Sequence, residues 1–330
     1  MNNRRKLVIA LGAGAGALAA PLTPFAQPRP AKIPHVGYLS TGSVASNGAF
    51  LAAFKEALRE LGYVEGRNIA IDVTWAGKAA YEFPTLAATL VKTNPSAIVT
   101  TCVPSTRAAK QATSSIPVVM SIDGDPVESG LVASLARPGA NITGTLTLFQ
   151  ELIPKWVELI NIAVPKARTI AVLANAGEDG AYYWDTFEDV ARKVGVKVFL
   201  ARANTPAALE RAFADMKKQR AGAFIVMVDP LLAGHVQRIV TLAAVYKLPG
   251  IYGFREFAEA GGLMSYGLSY KDYYKEVARY VDKVLKGVKP ADLPVEQPTR
   301  VEFTLNQATA KALGMTVPGQ LLVRANRLIE

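Results

Sequence analysis

The stretch Ala97-Ile98-Val99-Thr100-Thr101-Cys102-Val103-Pro104-Ser105-Thr106 decides the fold class. Residues 97–100 are a short apolar run, which predicts a buried strand. A hydroxyl-rich loop follows. Pro104 then sits where the first turn of a helix accepts proline, because the N–H groups of that turn have no intrahelical partner. The helix is predicted over 104–112. Strand, polar loop and helix in that order make half of a β-α-β unit.

The same half-unit recurs on both sides. Upstream, residues 35–39 form a strand, Ser40-Thr41-Gly42-Ser43 a loop, and Phe50, Leu51, Phe54, Leu58 and Leu61 recur at helical spacing until Gly62. Residues 68–75 alternate as a strand and 83–91 suit a helix. Downstream, 117–121 and 141–146 read as strands. The pattern then restarts with a helix marked by Leu152, Ile153, Trp156, Val157, Leu159 and Ile160. Strands are predicted at 169–173, 197–201, 223–228, 250–252 and 262–266, with helices at 183–194, 207–218 and 236–246. Tyr270, Tyr273, Tyr274, Val277, Tyr280, Val281 and Val284 mark a long amphipathic helix ending at Gly287. Pro290, Pro294 and Pro298 make 288–298 an extended connection, before a strand at 300–305 and a short helix at 306–313.

Repeated β-α-β units require parallel sheets with helices on both faces. The fold class is therefore α/β: two doubly wound parallel-sheet lobes of about five strands each, with a ligand cleft between them. The tail is expected to return across both. The first lobe is placed at 27–162 with 268–299, and the second at 163–267 with 300–330.

Residues 1–26 are set apart. Arg4, Arg5 and Lys6 precede an uncharged apolar run over 7–20, the pattern of a cleavable export signal. The run is shorter than the roughly 20 residues of a membrane span. Arg4-Arg5 leaves the twin-arginine and Sec routes both open, and the expected cut follows Ala26. The expected location is the periplasm. Gly12, Gly14 and Gly16 imitate a dinucleotide fingerprint, but no strand precedes them and no acidic residue follows at the required distance.

Half of the 330 residues are hydrophobic and 19% are charged, which excludes a disordered chain. A single cysteine, Cys102, excludes an internal disulfide framework, and two histidines, His35 and His235, exclude a His-rich metal site. Removing residues 1–26 takes away three cations and no anions, so the net charge of +10 falls to +7. The remaining cations are dispersed, which argues against nucleic acid. No cofactor motif is present. No nucleophile elbow appears, His35 lies inside a strand, and Cys102 has no evident base.

Ligands of parallel sheets sit beyond the carboxyl ends of the strands. The candidate residues there are Ser40 and Thr41; Thr101, Cys102, Ser105 and Thr106; Asp123 and Asp125; Asn175; Asp229; and Tyr252 and Phe254. The helix start at Pro104 suits a ligand carboxylate, and simple helix capping explains the same hydroxyls equally well. Asp123 and Asp229 suit a ligand ammonium group; Asp125 reads rather as a turn former. Tyr252 and Phe254 flank a glycine at a strand end and suit an apolar ligand body. Tyr182, Tyr183, Trp184 and Tyr266 are further aromatic candidates, with helix packing the favoured reading of Tyr183 and Trp184, and Trp75 and Trp156 read as structural.

Several stretches together resemble one known family. They are Phe54-Lys55-Glu56-Ala57-Leu58-Arg59-Glu60-Leu61-Gly62-Tyr63; Gly124-Asp125-Pro126-Val127 with Gly130-Leu131-Val132-Ala133-Ser134-Leu135-Ala136-Arg137-Pro138-Gly139; Asn141-Ile142-Thr143-Gly144; and Ile251-Tyr252-Gly253-Phe254-Arg255-Glu256-Phe257. The chain resembles the ABC transporter substrate-binding proteins of the tryptophan/tyrosine-type group, with the type I periplasmic binding protein fold. The resemblance covers nearly the whole chain. It implies two lobes that close on a small solute, a monomer, and delivery to an inner-membrane permease with its ATPase. It implies an aromatic amino acid or related carboxylate as solute, with the carboxylate at residues 101–106 and the ammonium group at Asp229. This chain carries Cys102-Val103-Pro104 where many relatives carry Gly-Thr-Pro. Two other functions stay open on the residues alone: a ligand-binding subunit of a signalling system, and a secreted hydrolase or isomerase using Asp229, His235 and Cys102.

Overall fold

A computed structural model describes residues 33–77, 80–175, 183–298 and 301–330. The predicted export signal lies outside the described residues, as do Tyr182 and the loop residues Ala176 and Gly177.

The first sheet is built from β1 (His35–Ser40), β2 (Ala70–Trp75), β3 (Ala97–Thr100), β4 (Val118–Asp123) and β5 (Ile142–Thr147). Its strand order is β2-β1-β3-β4-β5, all parallel. Three helices connect these strands: α1 (Val44–Glu60), α2 (Phe83–Lys92) and α3 (Val103–Ala112). Period-two alternation sends side chains to both faces. Val36 and Tyr38 of β1 pack with Phe54 and Leu58 of α1, whereas Leu39 packs on the other face with Phe83 and Leu90 of α2. Both faces are covered, so the inner strand β3 is fully buried and apolar but for Thr100, whereas the edge strand β2 alternates and is only partly buried.

After β5 the chain enters the second lobe through α4 (Ile153–Ala163). There follow β6 (Thr169–Ala174), α5 (Trp184–Lys193), β7 (Lys197–Arg202), α6 (Pro206–Lys218), β8 (Ala223–Val226), α7 (Pro230–Gly234), α8 (Val236–Tyr246), β9 (Gly250–Phe254), α9 (Arg255–Glu259) and β10 (Met264–Leu268). Next, α10 (Tyr270–Leu285) returns to the first lobe, where it packs along α1 and on β3, β4 and β5. The extended segment after it hydrogen-bonds to β5, through Glu296 N–H to Gly144 O at 3.1 Å. Finally β11 (Glu302–Asn306), α11 (Gln307–Ala312), α12 (Gly319–Arg324) and β12 (Arg327–Ile329) rejoin the second sheet.

The second sheet has seven strands rather than about five, in the order β12-β11-β10-β9-β8-β6-β7. β11 runs antiparallel to β10. An alternating apolar pattern is blind to strand direction, so this reversal has no signal in the sequence. The short strand β12 and helices α9 and α12 were not anticipated, being too brief to show a period. At the carboxyl ends of β9 and β10 the backbones meet: a Cβ on Gly267 would lie 1.8 Å from the Gly253 carbonyl oxygen. No helix of the described residues is long and apolar enough to cross a membrane.

Candidate ligand-binding cleft

Each sheet has one place where consecutive connections leave in opposite directions and open a crevice at the carboxyl ends of two strands. In the first sheet it lies between β1 and β3, in the second between β6 and β8. Such switch points are where parallel sheets bind ligands. Each of these two is spanned by a side-chain hydrogen bond. Thr101 Oγ1 donates to Ser40 Oγ at 2.8 Å, and Asn175 Nδ2 donates to Asp229 Oδ2 at 3.2 Å.

On the first wall, buried Asn47 of α1 directs its Nδ2 at Ser40 Oγ and Thr41 Oγ1, 3.4 Å from each. Cys102 caps the amino end of α3 and is partly buried. Ser105 and Thr106 are not brought to the cleft. Ser105 Oγ accepts from the Thr101 and Cys102 N–H groups at 3.2 Å each and donates to Cys102 O at 2.9 Å. Thr106 Oγ1 lies 2.7 Å from Thr100 Oγ1. Both side chains are fully buried. These hydroxyls build the loop, and Thr101 and Cys102 are the residues of the set left at its surface.

Asp123 ends β4. Its Oδ1 accepts from the Phe149 N–H at 3.1 Å and from Thr147 Oγ1 at 3.2 Å, and its Oδ2 accepts from the Tyr183 hydroxyl at 2.5 Å. Burial pushes this carboxyl above the usual carboxylate range, although all three hydrogen bonds pull it down. Asp125 is exposed, and its Oδ1 accepts from the N–H groups of Val127 at 2.7 Å and Glu128 at 3.3 Å, the geometry of a turn.

On the second wall, Asp229 caps α7 and accepts from the N–H groups of Leu231 at 2.8 Å and Leu232 at 3.1 Å. Tyr252 points into the core of the second lobe, fully buried, with its ring stacked on Phe257 at 4.8 Å. Phe254, two residues on and last in β9, reaches the other lobe. Its ring meets Phe50 of α1 edge-on at 5.8 Å, and within its own lobe's core it meets Phe149 at 5.9 Å. Tyr183 packs against the core of the second lobe, as expected, and its hydroxyl also reaches Asp123 in the first lobe. Trp156 is buried and donates Nε1–H to Tyr266 O at 2.5 Å. His35 pairs with Asp72 at 2.6 Å, at the opposite end of β1 from the cleft. His235 links α7 to α8.

The lobes also meet where α7 touches the start of α1. A Cβ on Gly234 would lie 3.3 Å from the Ser46 carbonyl oxygen. Asn47, Phe50 and Phe149 thus contact the candidate site residues without having been candidates in the sequence. Phe50 had a signal, its helical spacing, which points equally to a core. Among the described residues, no group of three or more His, Cys, Asp or Glu is placed to hold a metal ion.

The family model described as "ABC transporter substrate binding protein" matches residues 44–329. A tyrosine-binding protein of Clostridioides difficile is 30% identical over 263 residues, covering 79% of this chain and 75% of that protein. Among solved structures, a conserved domain protein from Vibrio cholerae is 27% identical with a TM-score of 0.72, over 90% of this chain and 100% of that one. An ABC domain in complex with L-Trp from Streptococcus pneumoniae is 27% identical with a TM-score of 0.69, over 89% of this chain and 100% of that one.

Proposed function

The chain belongs to the family of ABC transporter substrate binding proteins, and from that premise we propose that it is a periplasmic receptor that closes on one amino acid and passes it unaltered to a membrane permease. The observation that carries this reading is the pairing of two switch-point crevices, Ser40–Thr101 and Asn175–Asp229, with side chains that reach from lobe to lobe between them. A solute held there touches both walls. It binds the closed arrangement better than the open one, and the difference in affinity drives closure.

The aromatic class of solute is supported by the tyrosine- and L-Trp-binding relatives and by Phe50, Phe149 and Phe254 along one side of the cleft. The polar contacts fall to Ser40, Thr41, Thr101, Cys102, Asp123, Asn175 and Asp229. The receptor acts as a monomer, binds no nucleic acid and catalyses no reaction. The lobes are taken at 27–162 with 268–299 and 163–267 with 300–330, after an export signal at 1–26, with one correction: α4 goes to the second lobe, because Ile153, Trp156, Val157 and Ile160 lie in that lobe's core.

Native mass spectrometry of the purified protein tests this. One small solute per chain, released with its mass unchanged, is expected. A chain that holds no solute, and melts at the same temperature with amino acids in excess, contradicts it.

A further inference from the structure

One group in the cleft has partners that do not match its charge. Asp123 is a partly buried carboxylate. Its three donors, the Phe149 N–H and the Thr147 and Tyr183 hydroxyls, are all neutral. Among the described residues no Lys, Arg or His pairs with it, and no cation is among the causes that set its acidity. A carboxylate drawn out of water is costly unless an opposite charge answers it. The other acidic residues near the cleft have structural employment. Asp229 caps α7 with two backbone N–H groups and takes Asn175 as a third donor, and Asp125 holds its own turn.

We propose that Asp123 is the anchor for the protonated amine of the solute, with Tyr183 completing that subsite from the opposite lobe. This rests on the receptor function proposed above and fixes the solute class as primary ammonium compounds. It moves the ammonium subsite from Asp229, at the second switch point, to the end of β4. The Tyr183 hydroxyl and the solute amine then share one carboxylate, so ligand capture and lobe closure act on the same two oxygens.

Calorimetric titration with L-tyrosine, tyramine and 3-(4-hydroxyphenyl)propionate tests this, because the three share a ring and differ in ammonium and carboxylate. In Asp123→Asn, L-tyrosine and tyramine are expected to bind about 30-fold or more weakly. The propionate is expected to bind both proteins alike. The ligand-free variant is expected to melt at the same temperature as the parent or higher, because an unanswered charge has been removed. Equal L-tyrosine affinity in parent and variant overturns the proposal. So does a parent that holds the propionate as tightly as L-tyrosine, or that binds none of the three. A lower melting temperature with all three probes weakened marks a residue that only builds the loop, and also overturns it. Asp123-dependent binding of tyramine without L-tyrosine keeps the anchor and removes the amino-acid reading.

Discussion

The hydroxyl of Tyr183, from the second lobe, donates to Asp123 Oδ2 in the first lobe at 2.5 Å, across 60 residues of chain. The bond ties the end of β4 to the start of α5, and Phe149 joins it to the aromatic contact of Phe50 with Phe254: its N–H bonds Asp123 and its ring meets Phe254. The lobes are therefore joined by a polar contact and an apolar one.

Removing the phenol isolates the polar fastening. Tyr183→Phe keeps the ring and loses a charge-assisted hydrogen bond worth about 1.5–3 kcal/mol. Solute affinity is expected to fall by roughly tenfold or more, and small-angle scattering of the ligand-free protein should give a larger radius of gyration. Unchanged affinity and radius would show that the bond does not contribute to closure.

Gly234 offers a steric test of the same motion. A leucine there meets the carbonyl oxygens of Ser46 and Ala45 on the other lobe, since a Cβ alone comes within 3.3 Å of the nearer one. Gly234→Leu is expected to weaken solute binding at least about tenfold, while the ligand-free melting temperature holds, because the position is exposed. Full affinity in this variant would mean that binding does not need the contact between α7 and α1.

Ser105 separates loop building from ligand binding. Its hydroxyl accepts from two N–H groups and is fully buried. Ser105→Ala strands both donors, at a cost of about 1–3 kcal/mol. Thermal unfolding should move down by several degrees with solute affinity preserved. Lost affinity at unchanged stability would return Ser105 to the ligand site.

The acidity of Asp123 gives a pH dependence of definite sign. Burial holds its folded-state value above that of the unfolded chain. The native protein therefore takes up this proton more readily, so the group favours folding at low pH and that contribution is lost as pH rises through the folded value. Amine binding runs the other way, because it requires the ionised form. Titrations from pH 7 downward should show affinity for an ammonium solute falling above the ordinary carboxylate range, and Asp123→Asn should flatten that slope. Glu256, also raised chiefly by burial, bonds to Ser269 at the start of α10 and shares the stability sign but not the effect on binding.

The parts of this site that could be read in the sequence are those fixed by local rules. Ser40, Thr101, Asn175 and Asp229 each follow an apolar run directly, and β-α-β topology puts such positions at the carboxyl edge of a sheet. The paired crevices follow once the strand order is known. The bond of Tyr183 to Asp123 was not legible, because the two are distant in sequence and the packing of the ring, which the structure keeps, says nothing of where the hydroxyl goes. Tyr252 and Phe254 share a strand and a residue class. They separate because one lies within β9, under Phe257, and the other ends it. Ser105 and Thr106 look like donors to a ligand in the sequence, and the turn of the backbone at Cys102 decides that they face inward. The antiparallel β11 depends on the path of a long connection, which no periodicity records.

The central claim is that one amino acid sits between the lobes and leaves unaltered. Equilibrating the protein with L-tyrosine, removing free solute and analysing what denaturation releases tests it most directly. The account predicts one equivalent of intact L-tyrosine per chain, held by the parent and lost from Gly234→Leu. Release of a chemically changed product, or equal retention by a protein whose lobes cannot close, would contradict it.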